Sequence, residues 1–362
     1  MSEALEIEAL GAQGDGLGRI AEGRAVFVPF TLPGERVSVE RAGGRARLQV
    51  VEAPSPERVE PPCPHFGTCG GCDLQHASTA VYRNFKRERV VEALRRERLE
   101  TEVEDLVPCA PRSRRRAVFS ARRAGARVLF GFHEALSDRI VPIHVCFVVL
   151  PAIADALPLL RSLAELLIDR RQELRVTVTA TAAGLDIAVE QAAKLTPASR
   201  QAALQLGLDP AVARLSVAGE TLIESRPPEV AIADVTVRLP PGAFLQAVAS
   251  AEEEMAARAV PHLKGAKRVA DLFSGIGTFS LRLAHASAVH AVEGDAAALA
   301  ALDAARRTPA GLKPLTTERR DLVRRPVTAK ELDRFDGVLF DPPRAGAEAQ
   351  MRELARSRVA RV

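Results

Sequence analysis

The stretch RVADLFSGIGTFSL, residues 268–281, decides the fold. It reads as a short apolar strand whose end carries an acid, Asp271, followed by a turn with Gly275 and Gly277 and then a helix through TFSLRLAHA. Downstream the same alternation continues. AVHAVEGD reads as a second strand, AAALAALDAARR as a helix, LTTERRD as a weak third strand and FDGVLFDPP as a fourth. AEAQMRELARS reads as a further helix, and RVARV as the opening of a fifth strand. Strands alternating with helices predict a doubly wound, Rossmann-like parallel sheet over residues 236–362.

Ligands of such sheets bind at the carboxyl ends of the strands, where glycines let the backbone come close. The turn has no third glycine at G-x-G-x-x-G spacing, so it is not the dinucleotide fingerprint. Glu293 closes the second strand, where a carboxylate can accept hydrogen bonds from a ribose diol. Asp321 closes the third and can face an adenine edge. Three acids at successive strand ends fit a nucleoside cofactor without a pyrophosphate, namely S-adenosylmethionine. After the fourth strand, Asp341-Pro342-Pro343-Arg344 forms a stiff turn, because each proline fixes its own φ and restricts the residue before it. Such a turn can hold a planar base beside a methyl donor.

The upstream chain has a different character. Residues 1–56 hold short Val-rich strands (LEIEALG, AVFVPF, RVSVERA, ARLQVVEAP) broken by GAQGDGLGR and LPGE, the pattern of a small OB-like β-barrel. Residues 57–80 read as a loop rich in Pro, Gly and Cys, and 81–100 as a helix. From about 113 to 235, strands (RVLFGF, LRVTVTATAAG, LDIAVE, AIADVTVRL) surround a helix at ALPLLRSLAELLIDRR, residues 156–171. The domains expected are therefore 1–56, a barrel; 57–235, a metal loop with a central α+β domain; and 236–362, the α/β domain.

The 362 residues carry a net charge of +4 and are 47% hydrophobic, a globular composition. No apolar run reaches the ~20 residues of a membrane span. MSEALEIEAL is acidic and lacks the layout of a signal peptide, so a cytoplasmic location is expected, with no membrane partner. Seven arginines and no Asp or Glu fall between Leu106 and His133, a basic stretch suited to phosphate contacts with nucleic acid. Three of the five cysteines cluster as C-x5-C-x2-C, at Cys63, Cys69 and Cys72. An odd, clustered set points to metal rather than disulfides. Cys146, His65, His76 and His144 are candidates for a fourth ligand, and spacing leaves zinc and an iron–sulfur cluster both open. Cys109 reads as a free thiol.

These motifs together resemble the RNA (uracil-5)-methyltransferase family, in its branch with an N-terminal TRAM domain and a [4Fe-4S] cluster. The likeness runs over essentially the whole chain. GAQGDGLGRI and GRAVFVPFTLPGERV resemble a TRAM domain. Cys63, Cys69 and Cys72 match the clustered ligands, and Cys146 falls where the distant fourth lies. GAFLQAV resembles the F-x-Q-x-N motif at Phe244 and Gln246, with Val248 at the Asn position. The resemblance puts Gln246, Phe273, Thr278, Glu293, Asp321 and Asp341 on cofactor contacts. It also implies covalent catalysis, in which a thiolate adds to uracil C6, C5 takes the methyl group, and a base removes the C5 proton. The base is expected to be extruded from its RNA stack.

In the family the nucleophilic cysteine follows strand five, and the general base is a later glutamate. No cysteine lies beyond Cys146. The chain is therefore expected to be C-terminally truncated, with no catalytic residue of its own and no activity as it stands. The expected substrate is ribosomal rather than transfer RNA, and the expected state a monomer. Two rivals remain: a non-catalytic RNA-binding protein with a vestigial methyltransferase fold, and an amino-group methyltransferase that uses the Asp341-Pro342-Pro343 turn without covalent chemistry.

Overall fold

The computed structural model describes residues 2–20, 23–42, 44–169, 172–308, 311–344 and 346–362. Two compact units are formed, one from Met1–Ala110 with Leu129–Phe147, the other from Pro111–Val128 with Val148–Val362. The cysteine segment thus groups with the N-terminal barrel, and the central sheet with the C-terminal one.

Strands β1 (Ser2–Leu10), β2 (Gly16–Arg19), β3 (Ala25–Val28), β4 (Arg36–Ala42) and β5 (Arg45–Ala53) close into a barrel in the order β1-β2-β3-β5-β4. This is the small barrel expected for residues 1–56. Its core is one face of the alternating pattern: Leu5, Ile7, Val26, Val28, Val37 and Val39 are buried. Glu35, fully buried at the barrel's end, is held by Arg58 Nε at 2.5 Å and by the Leu32 N–H at 2.8 Å. Burial works against ionisation of Glu35, but the Arg58 bond, the N–H groups of Leu32 and Ser55 and the Arg58 charge together outweigh it and hold the pKa below the ordinary value. Helix α1 (Thr79–Arg96) follows the cysteine loop, and its Ser78 side chain caps the Val81 N–H.

Strand β6 (Arg116–Ala124) belongs to the second unit, while β7 (Arg127–His133) leads back to the first and pairs antiparallel with β8 (Ile140–Pro142). In the second unit come α2 (Pro151–Asp155), α3 (Leu157–Leu167), β9 (Leu174–Thr181), β10 (Gly184–Glu190), α4 (Pro197–Gly207), β11 (Val212–Val217) and β12 (Glu220–Glu224). Their sheet runs β12-β11-β10-β9-β6, parallel only at β10/β11, where α4 makes the crossover. Helix α3 buries Leu157, Leu160, Leu163, Ala164 and Leu167, an amphipathic stripe. The last two residues of the expected helix, 170 and 171, lie outside the described residues.

AIADVTVRL, expected as one strand of the central domain, is part of a hairpin instead: β13 (Glu229–Ile232) and β14 (Val235–Arg238) pair across Ile232 and Val235. Ala233, at φ 53°, makes the two-residue turn. Val230, Ile232, Val235 and Val237 then share a core with Val269, Leu281 and Val289 of the C-terminal sheet. Alternation told which residues face inward but not that the chain reverses.

Helix α5 (Ala249–His262) leads into the parallel sheet, made of β15 (Arg268–Leu272), β16 (Ala288–Glu293), β17 (Leu315–Arg319) and β18 (Gly337–Phe340) in the order β17-β16-β15-β18. Helices α6 (Ser280–Leu283), α7 (Ala296–Ala305), α8 (Ala329–Leu332) and α9 (Glu348–Arg356) alternate with it. The parallel α/β expectation holds, with two differences. The helix expected over TFSLRLAHA is only the four residues of α6, because the Leu283 carbonyl turns back to the N–H groups of Ala286 and Ser287. RVARV forms no ladder strand; one backbone bond, Val338 N–H to Arg361 O at 2.9 Å, joins it to β18. Among the described residues no helix is long and apolar enough to cross a membrane.

Candidate functional site

Because β15–β18 run parallel, the residues that end them lie along one edge of the sheet. Asp271 is on β15, Glu293 ends β16, Asp321 lies two residues past β17, and Asp341 directly follows β18. After β15 the chain turns sharply: Phe273 sits at φ 63°, with Gly275 and Gly277 also at positive φ. At Gly277 a side chain is ruled out twice, since a Cβ would also lie 2.4 Å from Leu302 Cδ1 of α7.

Glu293 ties this turn to the second strand. Its Oε2 accepts the Gly275 N–H at 2.9 Å and its Oε1 the Asp295 N–H at 2.8 Å. Each carboxylate oxygen retains a lone pair for an incoming hydroxyl. Asp321 Oδ1 takes the Val323 and Arg324 N–H groups, at 3.0 and 3.2 Å, as an Asx turn does. Asp341 Oδ2 accepts from Gln246 Nε2 at 3.1 Å, across 95 residues of sequence. Burial pushes the Asp341 pKa up, partly opposed by Gln246. The Phe273 ring lies 5.9 Å from that of Phe340. The Thr278 carbonyl accepts from Arg282 Nη1 at 2.6 Å.

Asp271 stands apart, 1% exposed and bonded by Ser280 Oγ at 2.5 Å. Burial, aided by the charges of Asp341 and Glu293 and opposed by Ser280, raises its pKa to about 7. It supports the turn from beneath.

The basic stretch divides on folding. Arg115 and Arg116 turn to protein: Arg115 pairs with buried Glu252 at 2.7 Å, and Arg116 Nε donates to the Ala243 carbonyl at 3.0 Å. The Arg116 guanidinium lies 5.9 Å from the ring centre of Phe244, which is 70% exposed. Arg122 pairs with Glu173 at 2.9 Å. The carbonyl and carboxylate partners of these three come from distant segments.

In the first unit, Cys63, Cys69, Cys72 and Cys146 are all half-buried, while Cys109 is exposed. Burial raises the Cys69 and Cys72 thiols, Cys72 to about 11, and in both the charges of Cys146 and Cys63 push the same way. Cys63 and Cys146 are thus among the charges felt by Cys69 and Cys72. Gly70 docks this loop: its N–H meets the His133 carbonyl at 2.9 Å, and a Cβ there would lie 2.6 Å from Ala135 N. Among the described residues, no group of three or more His, Cys, Asp or Glu side chains could hold a single metal ion.

The histidines go elsewhere. His65 and His144 stack edge to face at 4.3 Å, and the His144 N–H points at His65 Nε2 at 3.2 Å. His76 is fully buried against Phe66 at 5.4 Å, with neither ring nitrogen bonded. Burial, then the charge of Arg58, lowers its pKa to about 4 and keeps it neutral.

Residues 4–40 match the TRAM domain family. An uncharacterised RNA methyltransferase of Mesorhizobium japonicum is 50% identical over 99% of this chain and 86% of its own length. The 23S rRNA (uracil(1939)-C(5))-methyltransferase RlmD of Chromohalobacter salexigens is 34% identical over 99% of this chain and 79% of its own. Among solved structures, the Pyrococcus abyssi tRNA (uracil-54, C5)-methyltransferase in complex with S-adenosyl-L-homocysteine shares the fold. Its TM-score is 0.71 at 20% identity, covering 99% of this chain and 88% of that one. With a TRAM match, a carboxylate-lined sheet edge in its second unit, and relatives this similar over nearly its whole length, the chain belongs to the RNA methyltransferase family.

Proposed function

We propose that this protein methylates C5 of a uridine in RNA, ribosomal rather than transfer RNA, acting as a cytoplasmic monomer. The observation that carries the reading is the pair of bonds at the carboxyl ends of a sheet without a pyrophosphate fingerprint, Glu293 to the glycine turn and Gln246 to Asp341. The 34% identity to an enzyme named for uracil C5 in 23S rRNA supports the choice of base and substrate.

Bound S-adenosylmethionine would supply an electrophilic methyl group. Glu293 would accept the ribose hydroxyls with the lone pairs left over from Gly275 and Asp295. Asp321 would take the adenine side, and Gln246, Phe273, Thr278 and Asp341 would hold the rest of the cofactor. The covalent route also needs a thiolate on uracil C6 and a base for the C5 proton. No thiol follows Cys146 in these residues, and no residue among them is assigned either role.

Cys63, Cys69, Cys72 and Cys146 would hold a [4Fe-4S] cluster. All four are half-buried in one unit, and four thiolates are the ligand set of such a cluster.

The test is transfer of labelled methyl groups from S-adenosylmethionine to 23S ribosomal RNA by the full-length protein, with nucleoside analysis. 5-Methyluridine is expected. N6-methyladenosine, or RNA binding with no binding of S-adenosylhomocysteine, would overturn the reading.

A further inference from the structure

Glu252, in the first turns of α5, is a buried carboxylate between two guanidinium groups. Arg115 Nη2 donates to Oε2 at 2.7 Å and Arg282 Nη2 to Oε1 at 3.3 Å. The side chains are almost dry: 2% exposed for Glu252, 13% for Arg115 and 8% for Arg282. Burying three charges costs desolvation that their attraction barely repays, so such a group is poor evidence for stability. What it supplies is geometry, because both arginines continue past Glu252.

Arg282 uses its other terminal nitrogen, Nη1, to hold the Thr278 carbonyl at 2.6 Å, at the end of the glycine turn. Arg115 uses Nε to hold the Gln246 carbonyl at 3.1 Å, and its own N–H to hold the Ala247 carbonyl at 2.7 Å. The Gln246 side chain then reaches Asp341. One unbroken path of hydrogen bonds thus runs Thr278–Arg282–Glu252–Arg115–Gln246–Asp341. It joins the turn after β15 to the turn after β18 by way of a segment belonging to neither. A guanidinium suits this task because its planar fork can bind two acceptors at fixed angles, whereas an ammonium is a point charge.

We infer that Glu252 is a positioning residue of the cofactor site: through Arg282 and Arg115 it sets Thr278 and Gln246 relative to each other. The inference rests on the proposed cofactor role of those two residues. Glu252 touches neither cofactor nor substrate. Exposed Glu253 also reaches Arg282 but has no link to Arg115 among the described bonds, so it cannot replace Glu252 as the bridge.

The experiment is calorimetric titration of the full-length protein with S-adenosylhomocysteine, alongside thermal unfolding. Glu252→Gln and Arg282→Lys are each expected to raise Kd by about tenfold or more, about 1.4 kcal/mol. Arg282→Lys keeps the ion pair with Glu252 but loses the fork, so its melting temperature is expected to stay at the wild-type value. A role in stability alone predicts the reverse for that variant: unchanged affinity. Glu254→Gln, which removes only an exposed pair with Arg258, is expected to leave Kd within about twofold. If Glu252→Gln does not fold, Arg282→Lys decides the matter by itself. Wild-type affinity in a folded Arg282→Lys protein overturns the inference and leaves the proposed function standing. A wild-type protein that fails to bind S-adenosylhomocysteine takes both down.

Discussion

Glu293 Oε2 accepts the backbone N–H of Gly275 at 2.9 Å, so the acid that ends β16 is bound to the turn that follows β15. The bond fixes the carboxylate and the turn to each other at the carboxyl ends of the strands. Glu293→Ala is expected to weaken S-adenosylhomocysteine binding by ~1–3 kcal/mol, the cost of losing a charged acceptor at a ligand hydroxyl. Unchanged affinity by calorimetry would refute the ribose role.

Gly70 and Gly71 are neighbours with different constraints. A Cβ on Gly70 would press into backbone, 2.6 Å from Ala135 N and 2.7 Å from His133 O, whereas one on Gly71 meets Cys69 Sγ at an ordinary 3.5 Å. Gly70→Ala is expected to destabilise the protein by ~1–3 kcal/mol, and Gly71→Ala by clearly less. Urea unfolding of the two variants side by side decides; equal midpoints would mean that the loop is not docked as described.

Asp271 makes stability depend on pH. Its folded pKa of about 7 stands above the ordinary 3.8 because burial disfavours the charged form. Its contribution is therefore fully present below pH 3.8 and lost as pH rises towards 7. The difference corresponds to roughly 4 kcal/mol at 1.36 kcal/mol per pH unit. Asp271→Asn is expected to flatten the fall in unfolding free energy between pH 3.8 and about 7, the range that separates the two pKa values. Parallel curves for variant and wild type would show that Asp271 is not the group responsible.

Cys69→Ser tests the metal reading. Anaerobically purified wild type is expected to be brown with broad visible absorbance, and the variant bleached. A colourless, zinc-loaded wild type would exclude the iron–sulfur assignment. Iron and sulfide analysis gives the stoichiometry.

Much of this architecture was legible locally. Val-rich alternation with tight turns announced the barrel, and the strand–glycine–helix grammar of residues 268–281 announced the parallel sheet. The placement of Glu293, Asp321 and Asp341 along one edge followed, since parallel strands bring their carboxyl ends together. Where local reading failed, the chain reversed or stopped for reasons outside the pattern: the turn at Ala233, the early end of α6, and the lack of a ladder for RVARV.

The sequence by itself determined the periodicities, the turn residues and the donor types, because these depend on neighbours a few positions apart. Tertiary structure alone decided which donors meet. Arg115 finds Glu252 across 137 residues, and Gln246 finds Asp341 across 95. Arg116, part of the basic stretch, is taken up by the Ala243 carbonyl 127 residues away. Such pairings depend on where packed sheets and helices bring side chains together, and on the penalty for leaving a buried polar group unpaired. Neither leaves a mark on any single stretch of the chain.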